Sequence, residues 1–293
     1  MNSTIAITGA SGFIGTELLD HLKGIDGVRI IALTRGSSDL QDDPLCEWRT
    51  TDYSVGSLQS ALSGADTVIH LAGVRGTTSD PSDYVINETM TSNVLKAMAA
   101  DNIRSIVFAS TISVYDDESL IPWKEDSPLQ GRTMYGNSKI ACEDLIRKHS
   151  SENGSGYSIV RIAQVLGKGE RRRGMMNVFL DTAAAGGTIN VIGKSAARRQ
   201  YIYVKDLVRI LSMLALSCRD MKVTVNAGMP AAYTNLEIAQ IVNRVYGNST
   251  PINYNDSAPE TIRSSFMDIS LLKEVLSFEP LDMEQSIRAL SQE

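Results

Sequence analysis

Among the segments of this chain, Thr4-Ile-Ala-Ile-Thr8 followed by Gly9-Ala-Ser-Gly12-Phe-Ile-Gly15 restricts the possible folds most. The first five residues read as a short buried strand. The stretch after the glycines, Thr16-Glu-Leu-Leu-Asp-His-Leu22, reads as a helix. Strand, glycine turn and helix in that order form the setting in which a glycine motif binds a dinucleotide. Gly9 allows the tight turn, Gly12 lets a pyrophosphate approach the backbone, and Gly15 lets the helix pack closely on the strand. Ser11, Phe13 and Ile14 belong to the same turn and count as cofactor contacts. The helix N-terminus adds free N–H groups and the positive end of its dipole.

The second strand, Val28-Arg-Ile-Ile-Ala-Leu-Thr34, ends where such a fold selects its ribose. An acid there would bind a ribose 2′-hydroxyl. The tip here is Thr34-Arg35-Gly36-Ser37-Ser38. A guanidinium with neighbouring hydroxyls suits a 2′-phosphate, so NADP is favoured over NAD.

Strand and helix keep alternating. Ala65-Asp-Thr-Val-Ile-His70-Leu-Ala-Gly73 and Ser105–Ser110 read as strands, with helices over about 82–100 and 135–150. Ser158–Ile162 is a further strand after the Gly/Ser break at 153–156. This βαβ rhythm predicts an α/β chain with a Rossmann-like, doubly wound parallel sheet. Beyond Gly167 the rhythm loosens. Helices are expected near 175–185, 205–216 and 236–246, with strand-like runs at 189–192 and 223–227. The expected organisation is a dinucleotide-binding domain over 1–165, its sheet completed by about 200–230. A smaller, interleaved substrate-binding part covers 166–293.

Bulk properties exclude other classes. The net charge of -6 argues against a nucleic-acid groove or an anionic membrane surface as main partner. No apolar stretch is long enough to span a bilayer, and the N-terminus runs straight into a strand without a signal-peptide pattern. Cys46, Cys142 and Cys218 are far apart, and His21, His70 and His149 do not cluster, so no disulfide framework or metal site is expected. A reducing cytoplasm fits. Gly193-Lys-Ser195 lacks the earlier glycine of a P-loop, and Ser110 lacks a nucleophile elbow. The run Arg171-Arg-Arg173 is a solvated face or a loop closing on an anion.

Tyr135-Gly-Asn-Ser-Lys139 places a phenol and an ammonium on one helix face. The ammonium favours the phenolate, so the pair forms a proton donor and acceptor.

With these motifs in family order, the whole chain resembles the extended short-chain dehydrogenase/reductase family, of the NAD-dependent epimerase/dehydratase type that includes UDP-galactose 4-epimerase. The carrying motifs are Thr8–Gly15, His70-Leu-Ala-Gly73, Phe108–Tyr115, Tyr135–Lys139 and Tyr201-Ile-Tyr-Val-Lys-Asp206. The resemblance implies that Tyr135 is the acid–base residue. Lys139 would hold the nicotinamide ribose and depress the Tyr135 pKa, and Thr111 would bind the same substrate oxygen. It implies that Asp52 approaches the adenine and that Tyr53 contacts the cofactor. Leu71, Ala72 and Gly73 would line the cofactor, Arg75 would stand near it, and Asn87 would contact or brace it. Arg199 matches a diphosphate-binding Arg of sugar-nucleotide enzymes, and a homodimer through the helices at 82–100 and 135–150 is expected.

Departures narrow the reaction. Ile112 and Ser113 stand where 4,6-dehydratases carry Asp-Glu, which argues against a dehydratase. Gln164 replaces a usual Asn. Ala258-Pro-Glu-Thr-Ile-Arg263 lacks the first Arg of a nucleotide-binding stretch, for which Arg263 is a candidate substitute. The leading expectation is an epimerase or 4-ketoreductase acting on a sugar-nucleotide hydroxyl or keto carbon. The alternatives are an NADPH-dependent reductase of a non-nucleotide carbonyl compound and a non-catalytic NADP-binding sensor.

Overall fold

The computed structural model describes residues 3–36, 43–75, 82–170, 174–217, 220–259 and 262–293. Ser37, Ser38 and the Arg171–Arg173 run lie outside them. In chain order the first elements are β1 (Ser3–Thr8), α1 (Phe13–Lys23), β2 (Val28–Thr34), β3 (Cys46–Thr50) and α2 (Val55–Leu62). Then come β4 (Thr67–His70), α3 (Ser82–Ala100), β5 (Ser105–Thr111), α4 (Met134–Asn153) and β6 (Gly156–Ile162). The remainder supplies β7 (Gln164–Leu166), α5 (Met175–Ala184), β8 (Asn190–Ile192), β9 (Tyr201–Tyr203) and α6 (Val204–Ser217). It ends with β10 (Lys222–Ala227), α7 (Asn235–Tyr246), β11 (Asn253–Asn255), α8 (Ser270–Leu276) and α9 (Met283–Leu290).

The chain divides into two compact units, each built from separated segments. The first takes residues up to Asp116, then Glu125–Arg161 and Leu207–Val225. Its seven strands run in the order β10-β6-β5-β4-β1-β2-β3. The pairs β1–β2, β2–β3, β1–β4 and β4–β5 are parallel. Strand order therefore reverses beside β1, and an α/β sheet opens a ligand crevice at such a point. Register sharpens this: Thr8 pairs with His70, so β1 and β4 end level and their following turns leave the sheet side by side.

Burial explains why these strands read as nearly continuous apolar runs. Ile5, Ile7, Ile30, Leu33, Val68 and Phe108 are fully buried. Helices cover the faces of parallel sheets, so each such side chain contributes about 1.5–3 kcal/mol of burial. One core cluster joins β2, β4 and β5 to α2, α3 and α4 through Leu58, Val94, Met98 and Ile146. Helix α4 starts where the Thr133 hydroxyl accepts the Gly136 amide at 3.1 Å, and stops at Gly154 in the left-handed region.

The second unit comprises Asp117–Lys124, Ile162–Asp206 and Asn226–Glu293. Its core gathers Phe179, Leu180, Val191, Ile238, Val242, Met283 and Ile287. Two small parallel pairs, β7 with β9 and β8 with β11, frame it. Helix α7 is fixed by a reciprocal cap between Thr234 and Glu237. No described helix is long and apolar enough to cross a membrane.

Candidate active site

The turn after β1 has the shape that the glycines dictate. Gly9 has φ +71, and a Cβ there would lie 2.9 Å from the Ala72 nitrogen. The close exit of β1 and β4 thus requires glycine. A Cβ at Gly15 would sit 2.4 Å from the Gly9 carbonyl oxygen, so α1 is pressed directly onto the turn. Gly12 begins the helix with no side-chain cap and no acid in the first turn. The opening N–H groups of α1 therefore face no competing side-chain anion, and these residues fit the pyrophosphate of a dinucleotide. Ser11 is exposed on this turn, and Phe13 and Ile14 are half-buried.

At the neighbouring tips, Arg35 is exposed just past β2 and Asp52 is exposed just past β3. Hydrogen bonds from Ser54 hold the Asp52 carboxyl below its ordinary range. Tyr53, expected at the cofactor, lies behind these tips. It is buried with φ +64, and its phenol meets the Gly9 backbone and Thr8. Asn93 donates to its carbonyl at 2.9 Å. The aromatic side chain prefers the apolar space under the glycine turn, so it braces the turn from below.

The segment after β4 is fastened from two sides. Ala72 donates to the Thr8 hydroxyl at 3.2 Å, and that hydroxyl bonds His70 Nδ1 at 2.6 Å. Burial pushes the His70 imidazole down to about 3, so it is neutral in the folded protein. Asn87 on α3 accepts from the Val74 amide at 2.6 Å and donates to the Val74 carbonyl at 3.1 Å. It thereby braces Val74, between Gly73 and Arg75. Gly73 is exposed, and a Cβ there would lie 3.5 Å from Lys139 Nζ.

Thr111 ends β5 and starts a short turn over Ile112–Val114. Its hydroxyl oxygen accepts the Ser113 amide at 3.2 Å. That leaves the hydroxyl hydrogen for another acceptor. Helix α4 is pressed against this corner, because a Cβ at Gly136 would fall 2.1 Å from the Ser113 carbonyl oxygen. Tyr135 and Lys139 are carried on the same face. Lys139 is buried, with Nζ donating to the Ala109 carbonyl at 2.8 Å and lying 5.9 Å from the Tyr135 ring centroid. Burial lowers its pKa to about 8.

The structure departs from the expectation that Lys139 depresses Tyr135. Burial pushes the Tyr135 phenol up to about 12, and the cation that opposes this is Arg75. The spacing does put both side chains on one face, but the buried ammonium turns to a β5 carbonyl. At neutral pH Tyr135 is therefore a phenol, poised to donate a proton.

The remaining residues expected at the substrate lie in the second unit. Gln164 is half-buried at the start of β7, its amide bonded to the Gln200 carbonyl at 3.2 Å. Arg199 is held by Asn235 at 2.6 Å and Met175 Sδ at 3.2 Å, while its buried Nε has no partner. An unpaired buried guanidinium nitrogen fits an anionic ligand. Arg263 is paired with Glu118, which also accepts the Ser264 amide at 3.1 Å.

Residues that sequence spacing did not flag include Asn235, which orients Arg199, and Gly136, which sets the seat of α4. Their roles rest on contacts distant in sequence. Among the described residues no group of His, Cys, Asp and Glu could hold a metal ion.

Comparison with known proteins agrees with this geometry. Residues 5–228 match the model of the NAD dependent epimerase/dehydratase family. A putative UDP-glucose 4-epimerase from Methanocaldococcus jannaschii is 27% identical over 299 residues, covering 97% of this chain and 96% of that protein. A dTDP-4-dehydro-6-deoxy-D-allose reductase from Streptomyces is 26% identical, covering 94% of this chain and 91% of the relative. Among solved structures, UDP-N-acetylglucosamine 4-epimerase from Bacillus cereus superposes with a TM-score of 0.89 at 33% identity, over 99% of this chain and 96% of that one. A glycine turn shaped for a dinucleotide, a Tyr–Lys couple beside it and a family match over most of the length lead to one assignment: the chain belongs to the NAD dependent epimerase/dehydratase family.

Proposed function

We propose that this enzyme inverts a hydroxyl-bearing carbon of a sugar nucleotide by reversible oxidation, with position 4 of the sugar as the leading candidate. The observation that carries the reading is Tyr135 and Lys139 on α4, seated by Gly136 against the corner that presents Thr111. A bound nicotinamide supplies the hydride acceptor and donor. As the phenolate Tyr135 takes the proton of the substrate hydroxyl, and as the phenol, the form that burial favours, it returns it. The free hydrogen of Thr111 steadies the charge that develops on that oxygen. Lys139, anchored on Ala109, keeps a positive charge beside the couple. Arg199, with its open Nε, suits a diphosphate. The similar UDP-sugar epimerases support this substrate class.

The same residues also serve a keto-sugar reductase, and the similarity to the allose reductase supports this as second reading. Arg35 favours NADP, since no acid stands among Thr34, Arg35 and Gly36. We also infer a homodimer through α3 and α4, supported by exposed Val85 and Ile86 on α3 and Met134 on α4.

The test is to incubate the purified protein with UDP-glucose and UDP-N-acetylglucosamine, separate the products, and identify any nicotinamide released on denaturation. Appearance of the C4 epimer without net change in cofactor supports an epimerase. No interconversion, but consumption of NADPH with a keto-sugar nucleotide, moves the assignment to the reductase.

A further inference from the structure

Behind the corner that carries Thr111 lies a buried charge network not used in the reaction above. Glu143 follows Lys139 by one turn of α4 and is fully buried. One carboxylate oxygen accepts from Ser110 Oγ at 2.6 Å and Arg161 Nε at 3.1 Å. The other accepts from Arg161 at 2.7 Å and from Arg147 at 2.7 Å. Arg161, on β6, also donates to the Tyr115 hydroxyl at 2.7 Å and the Glu125 carbonyl at 2.8 Å.

The partners are not scattered. Ser110 immediately precedes Thr111, and Ala109, which anchors Lys139, immediately precedes Ser110. Tyr115 closes the turn that Thr111 opens. One carboxylate therefore ties α4, the end of β5 and β6 together at the positions flanking the three reacting side chains. Taking two charges into a core is expensive, and hydrophobic residues of similar volume often serve stability as well or better. Stability alone is thus a weak reason for this pair.

We propose that Glu143, clamped by Arg161, is a positioning residue for the Tyr135–Lys139 couple. It fixes where β5 presents Thr111 and the Ala109 carbonyl that anchors Lys139. The inference rests on the acid–base reading of Tyr135 and Lys139 given above.

Among the described residues the groups facing Lys139 are few. Helix α4 supplies Tyr135, Cys142 and Glu143, β4 supplies the neutral His70, and β5 supplies the Phe108 ring and the Ala109 carbonyl. From α3, Glu88 acts on Cys142. Burial lowers the lysine pKa, and Cys142 and then the Glu143 carboxylate act to raise it. Arg147, the other cation on Glu143, is partly solvated and shared with Asp144.

The experiment is a pH titration of the Lys139 side chain by NMR with lysine labelled at Cε, the resonance assigned by its loss in Lys139→Met. It needs no substrate, so it stands apart from the sugar-nucleotide reading, which fails separately if the wild-type protein interconverts none. In Glu143→Gln the midpoint is expected to fall by about one pH unit, because the favourable charge is removed. Glu143→Asp, which keeps the charge, is expected to return it to within about 0.3 unit of wild type. Should Glu143→Gln fail to fold, the tie to β5 is tested by itself in a variant that keeps both buried charges. Ser110→Ala cuts only the tie to β5. It should lower kcat by about 5- to 20-fold with KM and cofactor affinity within about twofold of wild type. A midpoint unchanged in Glu143→Gln, or a Ser110→Ala enzyme with wild-type kcat, would overturn the proposal.

Discussion

Gly136 lies so close to Ser113 that a methyl group on its Cα would fall 2.1 Å from the Ser113 carbonyl oxygen. The obstacle is backbone, so the helix itself would have to move. Gly136→Ala is expected to cost about 1–3 kcal/mol, as overpacked sites do. It should also reduce kcat more than the loss of folded protein explains, since Tyr135 moves with the helix. Denaturant melts alongside turnover per folded molecule check both; wild-type stability would refute the packing account.

Tyr135→Phe removes the only atom that exchanges the substrate proton in the proposed reaction. Turnover is expected to drop by about 1000-fold, within the range for a lost acid–base group. Cofactor affinity, measured by nicotinamide fluorescence, should stay within about twofold. Retained turnover would exclude the role.

Buried His70 gives a pH signature. The unfolded chain protonates its histidine near 6.5, while the native imidazole resists down to about 3. Between these values the unfolded state binds more protons, so stability falls as pH drops from 6.5 towards 3, at roughly 1.4 kcal/mol per pH unit. From pH 7 to pH 5 the wild-type protein should therefore lose about 2 kcal/mol more than His70→Asn. Equal losses in urea melts would show that this histidine carries no such linkage.

Lys139 titrates in the opposite window. Its native pKa of about 8 lies below that of a free lysine, so its burial is unfavourable below pH 8 and is relieved as pH rises through 8 towards 10. Lys139→Met should be relatively more stable than wild type at pH 7, and this advantage should shrink by pH 10. An advantage that grows with pH would contradict the assigned burial.

Arg35 tests cofactor choice. Loss of a charge-assisted contact to a 2′-phosphate should weaken NADPH binding by about 10-fold or more. Arg35→Ala should leave NADH affinity nearly unchanged. Equal effects on the two nucleotides would remove the basis for NADP preference.

Much of the fold could be read because its signals are local. The glycines at 9, 12 and 15 follow a β-branched strand, and parallel strands buried on both faces appear as apolar runs such as Val28–Thr34. Helical spacing puts Tyr135 and Lys139 on one face, and the glycine turn, Thr111 and the βα rhythm are what single the pair out. The span of α2 over Val55–Leu62 was not recognised, because Gly56, Ser57 and Ser60 dilute its apolar stripe. Glu143 was equally hidden. A glutamate on a helix reads as solvated, and only pairing with Arg161 on a distant strand makes its burial possible. The behaviour of Lys139 illustrates the same limit: sequence spacing gives the face of a helix, but the choice between a phenol and a β5 carbonyl belongs to three dimensions.

The position of β10 at the margin of the seven-stranded sheet has a consequence for synthesis. Its partner β6 ends at Ile162, and the strand that pairs with it begins at Lys222. During translation at about 5–20 residues per second, β6 waits several seconds for its neighbour. Throughout that interval a buried, apolar strand presents open N–H and C=O groups to other nascent chains. The first unit is therefore not a module that ripens first: its last strand follows in sequence after residues that belong to the other unit, and it is most exposed to misassembly just before that closing strand arrives.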